Sequence, residues 1–209
     1  MKALIVTGGA QPEKELLYEH LNGADLVIGV DRAADTLVKY SIRPNILIGD
    51  FDSAQSDSVE KIEAMGSRLM RLPTHKNETD TEAAVTLALD AGADDIVILG
   101  ALGLRLDHAL GNLSMLIKAD RAGARCRIID EVHEITAARG NYELHGRPGQ
   151  TVSILPMAGD TTVTATNLVY PLDELLLRSD AARGISNTFS ASPARLSILG
   201  GYALIIKIS

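Results

Sequence analysis

Two hydrophobic periods alternate over the first 130 residues. Short apolar or β-branched runs at Ala3–Thr7, Leu26–Val30, Ile46–Ile48, Arg68–Leu72, Ile96–Leu99 and Cys126–Ile129 read as strands. Between them, Glu13–Leu21, Arg32–Tyr40, Asp57–Met65, Asp80–Ala91 and Leu106–Ala122 repeat their apolar residues at helical spacing. Strand and helix in alternation predict an α/β N-terminal domain with a parallel sheet covered by helices. Ile46–Ile48 and Ile96–Leu99 are continuously apolar, as strands covered on both faces should be.

After Asp130 no long helical period remains. Short runs at Glu134–Ala137, Thr151–Leu155, Thr161–Thr166, Ser186–Phe189, Arg195–Ile198 and Tyr202–Ile208 are separated by turn residues. The turns are Arg139-Gly140-Asn141, Arg147-Pro148-Gly149, Ala158-Gly159-Asp160 and Gly200-Gly201. This predicts a small all-β C-terminal sandwich, with domains at 1–130 and 131–209. Leu172–Arg178 fits a helical turn and a strand equally well.

Composition narrows the function. Hydrophobic residues make up 46% of the 209, enough for a sizeable core, so a disordered chain is excluded. Aromatics are scarce: no Trp, two Phe and five Tyr. The 20 basic residues form no run and are outnumbered by 27 acidic ones, which argues against a nucleic-acid partner. An acidic protein that binds a small anion such as ATP needs a metal ion, a helix N-terminus or a few placed cations. Cys126 is the sole cysteine, so neither an intrachain disulfide nor a multi-cysteine zinc site can form. The N-terminal apolar run is broken early by Gly8-Gly9, unlike a signal peptide, and no window is long enough to span a membrane. A cytoplasmic protein is expected.

In an open parallel sheet, ligands bind beyond the carboxyl ends of the strands. The segments at those ends are Thr7-Gly8-Gly9-Ala10, Asp31-Arg32, Gly49-Asp50-Phe51-Asp52-Ser53, Thr74-His75-Lys76-Asn77-Glu78-Thr79-Asp80 and Gly100 to His108. Asp50 and Asp52, two apart, project to one side of an extended or turning chain and suit a hard divalent cation. A solvated turn with Ser53 capping the next helix is the plain alternative. Thr79-Asp80-Thr81-Glu82 fits a capping box, with Asp80 in the first helical turn, where a macrodipole favours an acid. The donor-rich loop before it leads into a helix N-terminus, itself an anion site. In Leu106–Ala122 the period predicts burial of Leu106, Ala109, Leu110, Leu113 and Ile117. Arg105, His108 and Asn112 fall on another stripe, which suits a ligand-facing surface or an ordinary wet face. No Walker A loop or dinucleotide fingerprint occurs. Gly8-Gly9 also fits a simple tight turn, Asp31-Arg32 a helix start, and Cys126 a small buried apolar residue.

Together, these motifs are far more specific than any one of them. Gly29-Val30-Asp31-Arg32-Ala33-Ala34-Asp35, Pro44 to Ser53, Asn77-Glu78-Thr79-Asp80, Gly100-Ala101-Leu102-Gly103 with Arg105-Leu106-Asp107-His108, and Gly184-Ile185-Ser186-Asn187 occur in this order. The chain resembles the thiamine pyrophosphokinase family over almost its whole length. The resemblance implies an ATP-binding α/β domain, a thiamine-binding β-sandwich, and a homodimer with active sites at the subunit interface. It also implies diphosphoryl transfer from Mg-ATP to the hydroxyl of thiamine, giving AMP and thiamine diphosphate. Asp50, Asp52 and Asp80 match the family's metal and phosphate-site acids, Arg105 its phosphate-contacting arginine, and Asp107 the acid near thiamine. Gly9, Asp31, Lys76, Asn77, Thr79, His108 and Asn112 fall on the ATP side; Ser186 and Asn187 match the pair from the sandwich. Asp50 or Asp107 is expected to orient or deprotonate the thiamine hydroxyl. Leu104 stands where the family often has a glycine, and without Trp any aromatic cover of thiamine falls to Phe or Tyr, with Phe189 and Tyr202 as candidates. The alternatives are a pyrophosphokinase for another heterocyclic alcohol, an aspartate-dependent phosphatase-like hydrolase, and a non-catalytic nucleotide- or thiamine-binding module.

Overall fold

The structure is a computed structural model that describes every residue except His75, Lys76 and Leu104. Two units divide the chain, Met1–Glu131 and Val132–Ser209.

In the first unit the apolar runs become β1 (Lys2–Val6), β2 (Leu26–Val30), β3 (Ile46–Gly49), β4 (Arg68–Arg71), β5 (Asp95–Leu99) and β6 (Arg125–Ile129). The helices are α1 (Lys14–Leu21), α2 (Ala33–Lys39), α3 (Ser56–Ala64), α4 (Asp80–Asp90) and α5 (Leu106–Arg121). The six strands are parallel in the order β6-β5-β1-β2-β3-β4. The chain therefore builds outward from β1 on one side, then returns to build on the other. The reversal between β1 and β5 is a topological switch point, where the two flanking loops part and leave a crevice. Ala3 to Val6 of β1 and Ile96 to Leu99 of β5 have no exposed surface, which explains their unbroken apolar character. Leu4, Val6, Val97 and Leu99 share one core with Leu37 of α2 and Ile62 of α3. Cutting Leu4 back to Ala would leave a cavity costing about 2–5 kcal/mol. Cys126 lies buried in β6, where burial pushes its thiol up to about 12, so it acts as a small apolar side chain.

The second unit is antiparallel: β7 (His133–Leu144), β8 (Thr151–Met157), β9 (Thr161–Ala165), β10 (Leu172–Leu177), β11 (Asn187–Thr188) and β12 (Ala194–Ile208). Two of the turns expected from sequence are instead the two sides of one bulge. Arg139-Gly140-Asn141 lies within β7, and Gly200-Gly201 joins two expected strands into β12. The β7–β12 register breaks between the pairs Ile198–Gly140 and Ala203–Ala138, so four residues of β12 oppose one of β7. The bulge lets β12 serve two partners: its first half pairs with β9 and its second with β8. Val152 and Ile154 of β8 and Val163 of β9 then meet in one core around Phe189. Leu172–Leu177 is a strand, with Leu172 and Leu177 buried against that core. Among the described residues, no helix is long and apolar enough to cross a membrane.

Candidate active site

The exits of β2 and β3 lie against each other because their parallel register pairs Val30 with Ile48. Asp31 follows β2 in a left-handed conformation (φ 48°) and donates its N–H to the carbonyl of Ile48 at 2.8 Å. At the exit of β3, a Cβ on Gly49 would stand 3.0 Å from that of Asp31, so glycine permits the approach. Phe51, at φ 63°, then reverses the chain, and the Asp50 carboxylate accepts the N–H of Asp52 at 3.1 Å. As a result Asp31, Asp50 and Asp52 each present a carboxylate oxygen within 4.8 Å of the others. Ser53 does not cap a helix. Its hydroxyl donates to Asp31 Oδ2, and α3 begins after Gln55 without a side-chain cap. Asp31 Oδ1 is buried and accepts no hydrogen bond from any described residue. Burial raises the Asp31 carboxyl above its ordinary value against the opposing Ser53 bond, and the charges of Asp80, Asp50 and Asp52 raise it further.

Asp80, at the N-terminus of α4, acts on the same set through its charge. Thr79 caps the helix by accepting the N–H of Glu82 at 3.1 Å, and Asp80 is its first residue. Glu82 does not return the capping-box bond, because its carboxylate holds Lys118 at 2.8 Å. Asp80 is not one of the three acids within 4.8 Å, although its charge acts on Asp31. Asn77 is exposed in the loop before the cap, while Lys76 lies outside the described residues.

At the switch point, glycines serve close backbone packing. Gly9 donates to the Gly100 carbonyl at 2.9 Å and Ala10 to that of Leu102 at 2.6 Å. A Cβ on Gly9 would lie 2.3 Å from the Gly100 oxygen. Asn112, 7% exposed, donates to the Ala101 carbonyl at 2.7 Å and so ties the loop after β5 to α5.

In the second unit, Ser186 is exposed and left-handed (φ 58°), with its N–H bonded to Ser153 Oγ at 3.0 Å. Asn187 is only 4% exposed, and its amide holds both backbone groups of Tyr170, at 3.0 and 2.8 Å. Phe189 and Tyr202 are core residues with no ring face to offer, whereas Tyr170 is 64% exposed.

Residues 17–128 match the family model "Thiamin pyrophosphokinase, catalytic domain", and residues 132–199 match "Thiamin pyrophosphokinase, vitamin B1 binding domain". The chain belongs to the thiamine pyrophosphokinase family. The thiamine pyrophosphokinase of Bacillus subtilis is 30% identical over 206 residues, 97% of this chain and 96% of that protein. The crystal structure of a Bacillus subtilis thiamine pyrophosphokinase superimposes with a TM-score of 0.88 at 28% identity, covering 100% of this chain and 99% of that one. That of Geobacillus thermodenitrificans gives 0.86 at 29% identity, covering 100% and 98%. The chain is an enzyme of this type, and the family reaction is diphosphoryl transfer from ATP to thiamine.

The start of α5 is the main departure from the pattern expected from sequence. Leu106 and Leu110 are 70% and 56% exposed. The buried positions are Asn112, Met115, Leu116, Ile117 and Ala119, further along, where α5 packs on β6. Of the positions the period marks, Ile117 is buried and Ala109 and Leu113 are half-buried, but Leu106 and Leu110 are not covered, because periodicity assumes that a helix is covered from its first turn. Arg105 and Asp107 are exposed and paired, at 2.7 and 3.3 Å, and His108 is exposed beside them. The Arg105 bond holds the Asp107 carboxyl down at about 2. Leu104 lies outside the described residues. Sequence reasoning missed Asp31 as a third convergent carboxylate and Ser53 as its partner. The available signal was positional, since Asp31 and Asp50 follow neighbouring strands of a parallel sheet.

Proposed function

We propose that diphosphoryl transfer from ATP to thiamine runs at the exits of β2 and β3, with Mg²⁺ held by Asp31, Asp50 and Asp52. The donor set fits this ion. Three carboxylates share a small volume, and Asp31 has a buried oxygen without a partner among the described residues. Acid charges and burial destabilise its ionised form in the absence of a cation. When bound, Mg²⁺ supplies the positive charge that neutralises the triphosphate. Asp80, just outside the trio, belongs to the same electrostatic site at the N-terminus of α4.

Arg105 stabilises the charge of the transferred group, with Lys76, Asn77, Thr79 and His108 on the nucleotide side. Asp107 positions Arg105. A carboxyl held at about 2 and already accepting a guanidinium is a poor proton acceptor, and Asp50 on the cation side has the role of orienting the thiamine hydroxyl rather than of taking its proton. Gly9 and Asn112 act indirectly, by shaping the loops at the switch point. On the thiamine side, Ser186 offers an exposed hydroxyl and Asn187 holds Tyr170, whose ring is the aromatic surface available for thiamine.

The observation that carries this reading is the convergence of Asp31, Asp50 and Asp52 at the end of a parallel sheet. Incubation with ATP, Mg²⁺ and thiamine should yield AMP and thiamine diphosphate in equal amounts. Production of ADP, or of free phosphate alone, would overturn it.

The working form is a cytoplasmic homodimer with active sites at the subunit interface. The exposed Leu106 and Leu110 on α5 support an apolar subunit contact. Light scattering should give twice the 22.2 kDa chain mass. A monomer at the concentrations that support turnover would contradict this.

A further inference from the structure

Phe51 sits between the two acids of the β3 exit in a backbone conformation that bulky aromatic residues avoid (φ 63°). Such a conformation persists only where the surroundings over-determine it. Its ring packs against the apolar cluster of the first unit. It also lies under the guanidinium of Arg71, 5.0 Å from the ring centroid. Arg71 is the last residue of β4 and pairs in register with Gly49, and the next N–H, from Leu72, bonds the Gly49 carbonyl at 2.9 Å. The end of β4 is thus fixed to the exit of β3, and the arginine reaches across to the ring two residues further on.

We propose that Arg71 is a positioning residue for the cation site: by stacking on Phe51 it holds the left-handed turn that brings Asp50 and Asp52 to Asp31. The inference rests on the reading of those three acids as cation ligands. It makes a prediction opposite in sign to simple electrostatics. A positive charge beside an acidic cluster repels a cation, so its removal alone would tighten binding. A clamp, when removed, loosens the turn and weakens binding.

The test is titration of the full chain with Mn²⁺ alone, with unbound ion read from its paramagnetic resonance signal. Arg71→Ala should weaken binding about two- to fivefold, the scale of a partly exposed cation–π contact. Arg71→Lys, which keeps a cation over the ring, should recover part of that loss. In a Phe51→Leu background, Arg71→Ala should no longer weaken binding, because the ring through which it clamps the turn is gone and only the loss of its repelling charge remains. Unchanged or tighter binding by Arg71→Ala, or full additivity with Phe51→Leu, would overturn the proposal while leaving the cation site intact. Failure of the unmodified chain to bind Mn²⁺ would sink the cation-site reading, and this inference with it.

Discussion

The two units put chemistry on display in different ways. In the first, every strand runs in one direction, so every strand exit lies at one edge. Residues far apart in sequence, Asp31 and Asp50, are neighbours there because their strands are. In the second unit the strands alternate in direction and no edge collects their ends. The segment proposed to meet thiamine there is a two-residue strand, β11, preceded by two left-handed residues, Gly184 and Ser186. A parallel sheet advertises its site through position, and an antiparallel one hides it in local backbone geometry.

The sharpest way to break this contrast is Asp52→Asn. Turnover to AMP should fall roughly 100-fold or more, the scale of losing a preorganised charged group at a phosphoryl site. The melting temperature should hold or rise slightly, since Asp52 is exposed and its removal relieves repulsion. A near-normal rate would remove Asp52 from the site.

Glycine substitutions compare the units in stability. Gly9→Ala forces a Cβ to 2.3 Å from a carbonyl oxygen in the first unit. Gly184→Ala does so at 2.0 Å from the Ile154 oxygen in the second, at φ 85°. Each should cost about 2–4 kcal/mol in urea unfolding, with Gly184→Ala the worse because it adds backbone strain. Gly111→Ala, where nothing lies within 4 Å inside α5, should instead stabilise by about 0.5–1 kcal/mol.

The Ser186–Asn187 pair should separate binding from folding. Asn187→Ala leaves the backbone of Tyr170 without its amide partner and should cost about 1–3 kcal/mol. Ser186→Gly relieves a left-handed non-glycine residue, so it should stabilise by up to about 1 kcal/mol while raising the KM for thiamine. A destabilised Ser186→Gly variant would show that its hydroxyl serves the fold.

The smallest effect is expected at Asp107. Its carboxyl is held at about 2 in the folded chain, below the ordinary aspartate value near 4. The stabilisation is present above about pH 4 and disappears as pH falls toward 2. The pair is fully exposed, so the difference in urea midpoint between wild type and Asp107→Asn should be slight at neutral pH. It should narrow as the solution is acidified, and a gap that widens toward pH 2 would contradict the sign.

Most of the first unit was legible in the chain because pattern and packing agree there. Continuous apolar strands are covered on both faces, and β2 matches its expected span, Leu26–Val30. The start of α5 was misread because Leu106 and Leu110 look like core residues and are not covered. In the second unit, Gly140 and Gly200-Gly201 read as turns and proved to be a bulge, since a glycine signals a departure from regular backbone without saying which one. At the site, Asp50, Asp52 and the Thr79 cap followed from local motifs. The third member of the trio, Asp31, and the core positions of Phe189 and Tyr202 depend on long-range packing, which no local spacing reports.

The central claim is that three acids on neighbouring strand exits share one divalent cation. Equilibrium dialysis of Mn²⁺ against the unmodified chain and an Asp31→Asn, Asp50→Asn, Asp52→Asn triple variant tests it most directly. The account predicts binding by the former and its loss in a triple variant that remains folded by circular dichroism. A folded triple variant that still binds the ion with unchanged affinity would contradict it.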